Sequence, residues 1–227
     1  MRLAIFDLDN TLLAGDSDYL WGQFLVEQDR VDGQWYEREN RRYYEQYKAG
    51  TLDIREFCAF SLKPLTQHEP DQLYAWREQF VREKIAPIVA PGAPALLERH
   101  RAQGDRLLIM TATNRFITEP VAALLGVDDL IATDPEIING RYTGRISGIP
   151  NFHQGKVQRL QLWRDAQPQR YDHTTFYSDS RNDIPLLLTA DTPVAVDPDD
   201  ALRAEAERRG WPVISLRTEG YAPATPD

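Results

Sequence analysis

Two aspartates, Asp7 and Asp9, stand two residues apart in Asp7-Leu8-Asp9-Asn10-Thr11, directly behind the apolar run Leu3-Ala4-Ile5-Phe6. Carboxylates at the end of a buried strand are costly unless compensated: they protonate, or they share the site with a metal ion or a positive side chain. A solvated loop with an N-cap aspartate would account for the pair taken alone. An EF-hand would not, because the sixth position counted from Asp7 is Leu12, where that loop requires glycine. Three further features follow in chain order: Thr111 closing a second apolar run, Lys156 after Gly155 at a helix start, and Ser178-Asp179-Ser180-Arg181-Asn182-Asp183 closing a third. A hydroxyl and an ammonium donate to phosphoryl oxygens, and Asp7 with Asp179 offers the hard oxygen ligands that Mg²⁺ prefers. Each feature has a plainer alternative by itself: a β-branched strand end, a surface lysine, an acidic helix start favoured by the dipole. Their order and shared position at strand ends argue for one phosphate and metal site.

The elements that must hold these residues are legible in the apolar patterning. Arg2 to Phe6, Arg106 to Met110 and Thr174 to Tyr177 read as short buried strands. The second and third are followed by helical patterns at Phe116 to Leu125 and Asn182 to Leu188, the alternation that builds a parallel α/β sheet. Val194 to Val196 and Val213 to Leu216 supply further strands, and Ile137 to Ile146 reads as a hairpin turning at Asn139-Gly140. In such sheets ligands sit beyond the carboxyl ends of the strands, which is where the polar residues fall.

Between residues 15 and 87 the texture changes to helix, with thirteen of the 23 aromatic residues among charges, a concentration that marks an insertion after the first strand. The expected organisation is a Rossmann-like core of residues 1–14 and 88–219, an inserted helical cap of residues 15–87 and a loose tail at 220–227. Pro87, Pro91 and Pro94 around Gly92 mark the return from the insertion. The cap aromatics read as its core, and Cys58 as a small buried hydrophobe.

Composition narrows the function. The chain has 227 residues, 26 Lys+Arg against 35 Asp+Glu and a formal charge of -9, without a basic cluster, which speaks against nucleic acid as a partner. No run approaches the length of a membrane span, the first residues lack the apolar region of a signal peptide, and one cysteine permits no internal disulfide. A cytoplasmic protein with no membrane partner is expected. His68, His100, His153 and His173 lack zinc-ligand spacing, and His153, three residues before Lys156, is placed at the rim of the site.

The order Asp-x-Asp-x-Thr at Asp7 to Thr11, then Thr111, Lys156 and Asp179-x-x-Asn182-Asp183, resembles the haloacid dehalogenase (HAD) superfamily of phosphohydrolases across nearly the whole chain. A helical cap between the first two motifs is similar to the phosphoserine-phosphatase-like branch, subclass IB. Gly15-Asp16-Ser17-Asp18, Thr111-Ala112-Thr113-Asn114-Arg115-Phe116 and Tyr177 to Asp183 resemble a narrower set that includes HAD-type histidinol-phosphatases. The resemblance implies a Mg²⁺-dependent phosphomonoesterase acting on a small phosphorylated metabolite. Asp7 would be the nucleophile, forming an aspartyl-phosphate, and Asp9 the general acid and base. Thr111, the Ala112 backbone N–H, Lys156 and Asn182 would hold phosphoryl oxygens. The metal would take the Asp7 side chain, the Asp9 carbonyl and Asp179, with Asp183 steadying them.

In phosphoserine phosphatases an acid near the cap recognises the substrate amine and a cap arginine its carboxylate. Asp16 stands where the acid is expected and Asp18 is its neighbour; either also suits the N-cap of the helix from Tyr19. Where the arginine is expected, Leu52 to Leu62 offers Ala59, with Arg55 beside Asp53 and Glu56 reading as surface. An amino-alcohol phosphate lacking a carboxylate, histidinol phosphate above all, therefore fits better than phosphoserine, which remains the alternative. A slowly modified phospho-acceptor switch is the alternative without turnover, and Asp9, placed to hydrolyse the intermediate, argues against it. Asp9 likewise argues against a dehalogenase, which has no alkoxide to protonate.

Overall fold

In the computed structural model, which describes residues 1–218, the central strand is β1 (Arg2–Phe6). It lies between β2 (Arg106–Asn114) and β5 (His173–Ser178), parallel to both. With β3 (Asp129–Ile138), β4 (Arg141–Ser147), β6 (Thr192–Val196) and β7 (Val213–Ile214) the sheet has seven strands in the order β4-β3-β2-β1-β5-β6-β7. All neighbours are parallel except the β3/β4 hairpin. This is the Rossmann-like α/β sheet expected from the sequence. Strands β2 to β4 lie on one side of β1 and β5 to β7 on the other, so the strand order reverses there and the carboxyl end of β1 opens onto a crevice.

Residues Leu3 to Phe6 have almost no exposure, as a strand covered on both faces must. Their side chains alternate between two cores. Ala4 and Phe6 join Leu107, Ile109 and Tyr177 on one face, while Leu3 and Ile5 join Leu108, Met110 and Phe176 on the other. The first face is continuous with Trp21, Phe24 and Phe80 of the segment between β1 and β2.

That segment is helical: α1 (Ser17–Glu27), α2 (Gly33–Ala49), α3 (Ile54–Ser61) and α4 (Pro70–Phe80). Asp16, Asp32 and Asp53 cap the first three, each carboxylate accepting from backbone N–H groups of the opening turn. The sheet is completed by α5 (Ala93–Ala102), α6 (Arg115–Leu125), α7 (Gln154–Asp165), the short α8 (Ile184–Leu187) and α9 (Asp200–Arg209). No described helix is long and apolar enough to cross a membrane.

Several elements differ from the sequence expectation. The second strand runs on through Thr111-Ala112-Thr113 to Asn114, with a register shift against β3 between Met110 and Asn114. The hairpin turns at Asn139 and Gly140, at φ 51° and 76° as a tight reversal requires. Its first strand begins at Asp129, because the half adjoining β2 is a parallel strand whose polar residues masked the pattern. The last strand is Val213–Ile214, shorter than Val213 to Leu216, and Leu216 instead packs on Gly92. The expected loose tail, 220–227, lies outside the described residues.

Candidate active site

Asp7 is the first residue beyond β1, and its N–H continues the ladder by donating to the Tyr177 carbonyl at 2.9 Å. Lys156, in the first turn of α7, reaches it from the side: Nζ donates to Asp7 Oδ1 at 2.8 Å and to Asp183 Oδ2 at 2.7 Å, with all three side chains buried. Gly155 makes that approach feasible, since a Cβ there would lie 2.1 Å from the Pro150 carbonyl oxygen. Ser178 Oγ donates to the same Asp183 oxygen at 2.8 Å. Asp179 is tied to the loop after β1, its Oδ1 accepting from Thr11 Oγ1 at 2.9 Å while its N–H donates back to that hydroxyl at 3.0 Å.

Asp9 forms the other half of the site. Its carboxylate accepts from the Ser17 N–H at 2.6 Å and from Thr113 Oγ1 at 2.7 Å, with Thr111 Oγ1 at 3.5 Å. Thr111 and Thr113 reach the same carboxylate because residues two apart on a strand share a face. The Thr111 stretch is held by Asn151, whose Nδ2 donates to the carbonyls of Thr111 and Ile131, both at 2.9 Å, across the irregular part of the β2/β3 pairing.

Burial governs the electrostatics. It pushes the Asp7 carboxyl up to about 7 against the opposing pull of Lys156, with Asp183 and Asp9 adding to the rise. Burial likewise raises Asp9, which the bonds from Ser17 and Thr113 oppose. Asp179 is raised well above the carboxylate range by burial and then by the charge of Asp7. For Lys156 burial favours the neutral amine, but Asp183 and Asp7 outweigh it and hold the ammonium above the usual lysine value.

Among the described residues no three acidic, His or Cys side chains form a complete metal cage. The chemistry of the donors nevertheless fits Mg²⁺, which commonly takes one or two carboxylates and fills its other positions with backbone, water and phosphate oxygens. Asp7 and Asp179 are two buried carboxylates raising each other's cost, with one ammonium beside them, and a divalent ion would relieve that repulsion.

A cavity of about 530 Å³, its mouth included, opens over this site. Asp7, Asp9, Thr111, Ala112 and Thr113 form its floor and Asp16 and Asp18 its side. Tyr19, Asn40, Tyr43, Tyr44, Tyr47, Leu52, Ile54 and Phe57 come from the helical segment, and no lysine, arginine or histidine appears among the described lining. The aromatic residues thus divide: Trp21, Phe24 and Phe80 are core, as expected, whereas Tyr19, Tyr44, Tyr47 and Phe57 face the cavity and Tyr43 does both. Helical spacing alone cannot tell an inner face that packs from one that lines a hole. Arg55 and Ala59 are exposed and do not line it.

Two expected phosphate contacts are placed differently from the floor residues. Asn182 lies outside the cavity lining, its Oδ1 against His153 Nε2 at 2.9 Å and its Nδ2 donating to the Tyr47 carbonyl at 3.3 Å. Lys156 is also outside that lining, behind Asp7. His153 bonds Asn182 and, like it, is not part of the cavity lining. Thr11, Ser17, Thr113 and Asn151 hold the site without roles assigned from the sequence; the first three lie within the quoted motifs, and Asn151 carries no such signal.

The fold and the converging carboxylates are those of a hydrolase family that most of the chain matches. Residues 4–188 fit the model of the haloacid dehalogenase-like hydrolases, and the chain belongs to that family. Within it, the chain is a phosphoric monoester hydrolase of the HAD type. It is 42% identical to a histidinol-phosphatase of Neisseria meningitidis over 95% of this chain and 99% of that one. A crystal structure of a protein of unknown function from Bordetella pertussis Tohama I is similar at 44% identity and a TM-score of 0.89, covering 95% of this chain and 98% of its own. A substrate-bound phosphoserine phosphatase shares the fold at 16% identity and a TM-score of 0.70, with coverage of 96% and 93%.

Proposed function

We propose that the chain hydrolyses L-histidinol phosphate through an aspartyl-phosphate on Asp7. The observation that carries this reading is the cavity over Asp7 and Asp9, walled by acids and aromatics and lined by no cation. A phosphoserine carboxylate would enter a field of four aspartates, whereas an ammonium group and an imidazole ring meet carboxylates and π faces.

In this mechanism an Asp7 oxygen attacks phosphorus as the ester bond to the alcohol breaks. A carboxylate needs no base to become nucleophilic once ionised, and Lys156 favours that form. Asp9 gives its proton to the departing alkoxide; burial, which raises its pKa, suits it to carry one. Water then attacks the phosphorus of the acyl phosphate, Asp9 takes its proton, and phosphate leaves with Asp7 restored. Ser17 and Thr113 fix the carboxylate that makes both transfers. Asp7, the Asp9 carbonyl and Asp179 would hold Mg²⁺, which when bound neutralises charge on the phosphoryl oxygens. Thr111 and the Ala112 N–H would bind those oxygens from the cavity floor, Lys156 and Asn182 would have to reach them from outside its lining, and Asp183 anchors Lys156.

Asp16 and Asp18 are the substrate-facing acids. The lone cysteine, Cys58, is buried, and that burial pushes its thiol up to about 12. The test is phosphate release from L-histidinol phosphate, phosphoserine and glycerol phosphate side by side, with Mg²⁺ and then with chelator. The reading expects the first ester to be strongly preferred and chelation to stop turnover; preference for phosphoserine would overturn it.

A further inference from the structure

Asp16 and Asp18 are not equivalent. Asp16 is committed to the fold, its Oδ1 accepting the Tyr19 N–H at 2.8 Å as the N-cap of α1. Asp18 lies two residues further, 8% exposed, on the cavity wall, and no hydrogen bond from a described residue reaches its carboxylate. Asp18 faces the cavity, so a ligand that displaces water there must bring a donor of its own or leave the carboxylate unpaired. Beside it on the cavity wall stands Asn40, 5% exposed. Its Nδ2 is spent on the Tyr19 carbonyl at 2.9 Å, and no described donor reaches its Oδ1. Gly22 permits this seat, because a Cβ there would lie 2.5 Å from Asn40 Nδ2. Two acceptors of the same wall are thus unmet, and the surfaces around them, Tyr43 and Phe57, are flat and apolar.

We infer that Asp18 and Asn40 form a second recognition point that reads the ring N–H groups of a planar nitrogen heterocycle carried by the substrate, while the Asp16 side of the wall faces the amine. A planar ring protonated on both nitrogens donates one N–H to each acceptor, its charge matching the Asp18 carboxylate, while its face stacks on the neighbouring aromatics; a neutral ring has one N–H to give. Selectivity follows from this, because a substrate lacking the ring leaves two buried acceptors unpaired. The inference rests on the histidinol-phosphate reading and goes further by dividing the work between the two acids.

The test compares wild type with Asp18→Asn on two esters that share the amino-alcohol phosphate: L-histidinol phosphate and 2-aminopropyl phosphate, which lacks the ring. On the ring-bearing ester Asp18→Asn is expected to lower kcat/KM by about 10- to 100-fold, the worth of a hydrogen bond to a charged group. On the ringless ester the loss should be about tenfold smaller than on the ring-bearing one, since the ring contact is missing there and only the general effect of the lost charge remains. Binding of L-histidinol to the same pair of proteins, which needs no turnover, should weaken by the same factor. Equal losses on both esters, or no loss on either, would overturn the division of labour while leaving the substrate assignment standing. Wild type hydrolysing both esters equally well would overturn the substrate assignment itself, and the inference with it.

Discussion

Replacing Lys156 by methionine removes the only ammonium hydrogen-bonded to Asp7 and Asp183 among the described residues and keeps most of the stem's volume. Two carboxylates that held that group at 2.8 and 2.7 Å are then left buried and uncompensated. Breaking a buried charge pair from one side costs about 3–5 kcal/mol. At about 2–4 °C per kcal/mol for a chain of this size, Tm should fall by roughly 6–20 °C. The loss also has a sign in pH. Asp7 is held at about 7, above its unfolded value of 3.8, so its contribution to stability is fullest below 3.8 and declines as pH rises toward 7. Without Lys156 its pKa rises further, and the decline continues to higher pH. Between about pH 7 and pH 8 the variant therefore loses up to about 1.4 kcal/mol more than wild type, one pKa unit's worth. Thermal melts in chelator, so that no divalent ion contributes, check this near pH 5 and pH 8. A Tm within about 2 °C of wild type near pH 8, or an identical deficit at both pH values, would refute the reasoning.

Asp9→Asn, which cannot supply the proton, should lower kcat by about 10²- to 10⁴-fold on alkyl esters and much less on p-nitrophenyl phosphate, whose phenolate leaves without one; steady-state kinetics on both esters tests this, and an equal loss would contradict the acid role. Gly155→Ala puts a methyl 2.1 Å from the Pro150 carbonyl oxygen and must move either that loop or the start of α7. A stability cost of about 1–3 kcal/mol, read as a Tm fall of roughly 2–12 °C, and a fall in kcat/KM of about tenfold or more are expected, and unchanged melts and kinetics would show that Lys156 is not seated by this contact.

The parts of the fold readable in the sequence were those with one dominant cause. β1 is apolar on both faces because it is covered on both, and the acids that follow it mark where the covering ends. Parallel β3 was hidden because Asp129, Thr133 and Asp134 break its run, their side chains serving ladder and loop contacts rather than the core. The candidate acids are legible as residue types at strand ends, and the sheet brings them together by register. The bonds that hold Asp9 were not, because Ser17 contributes a backbone N–H and no side-chain pattern records that. The cavity wall was missed for a related reason: Tyr44 and Phe57 sit at the same helical spacings as core aromatics, and only the packing of α2 and α3 shows which face a hole.

The central claim is that phosphorus passes through Asp7, and the direct measurement is acid quenching during steady turnover of L-histidinol phosphate, borohydride reduction and peptide mass spectrometry. Reduction of an acyl phosphate converts the aspartate to homoserine, so the account expects that conversion at residue 7, dependent on substrate and absent in Asp7→Asn, which should release no phosphate. Turnover with residue 7 unmodified, or an Asp7→Asn protein that still releases phosphate at a substantial rate, would contradict it.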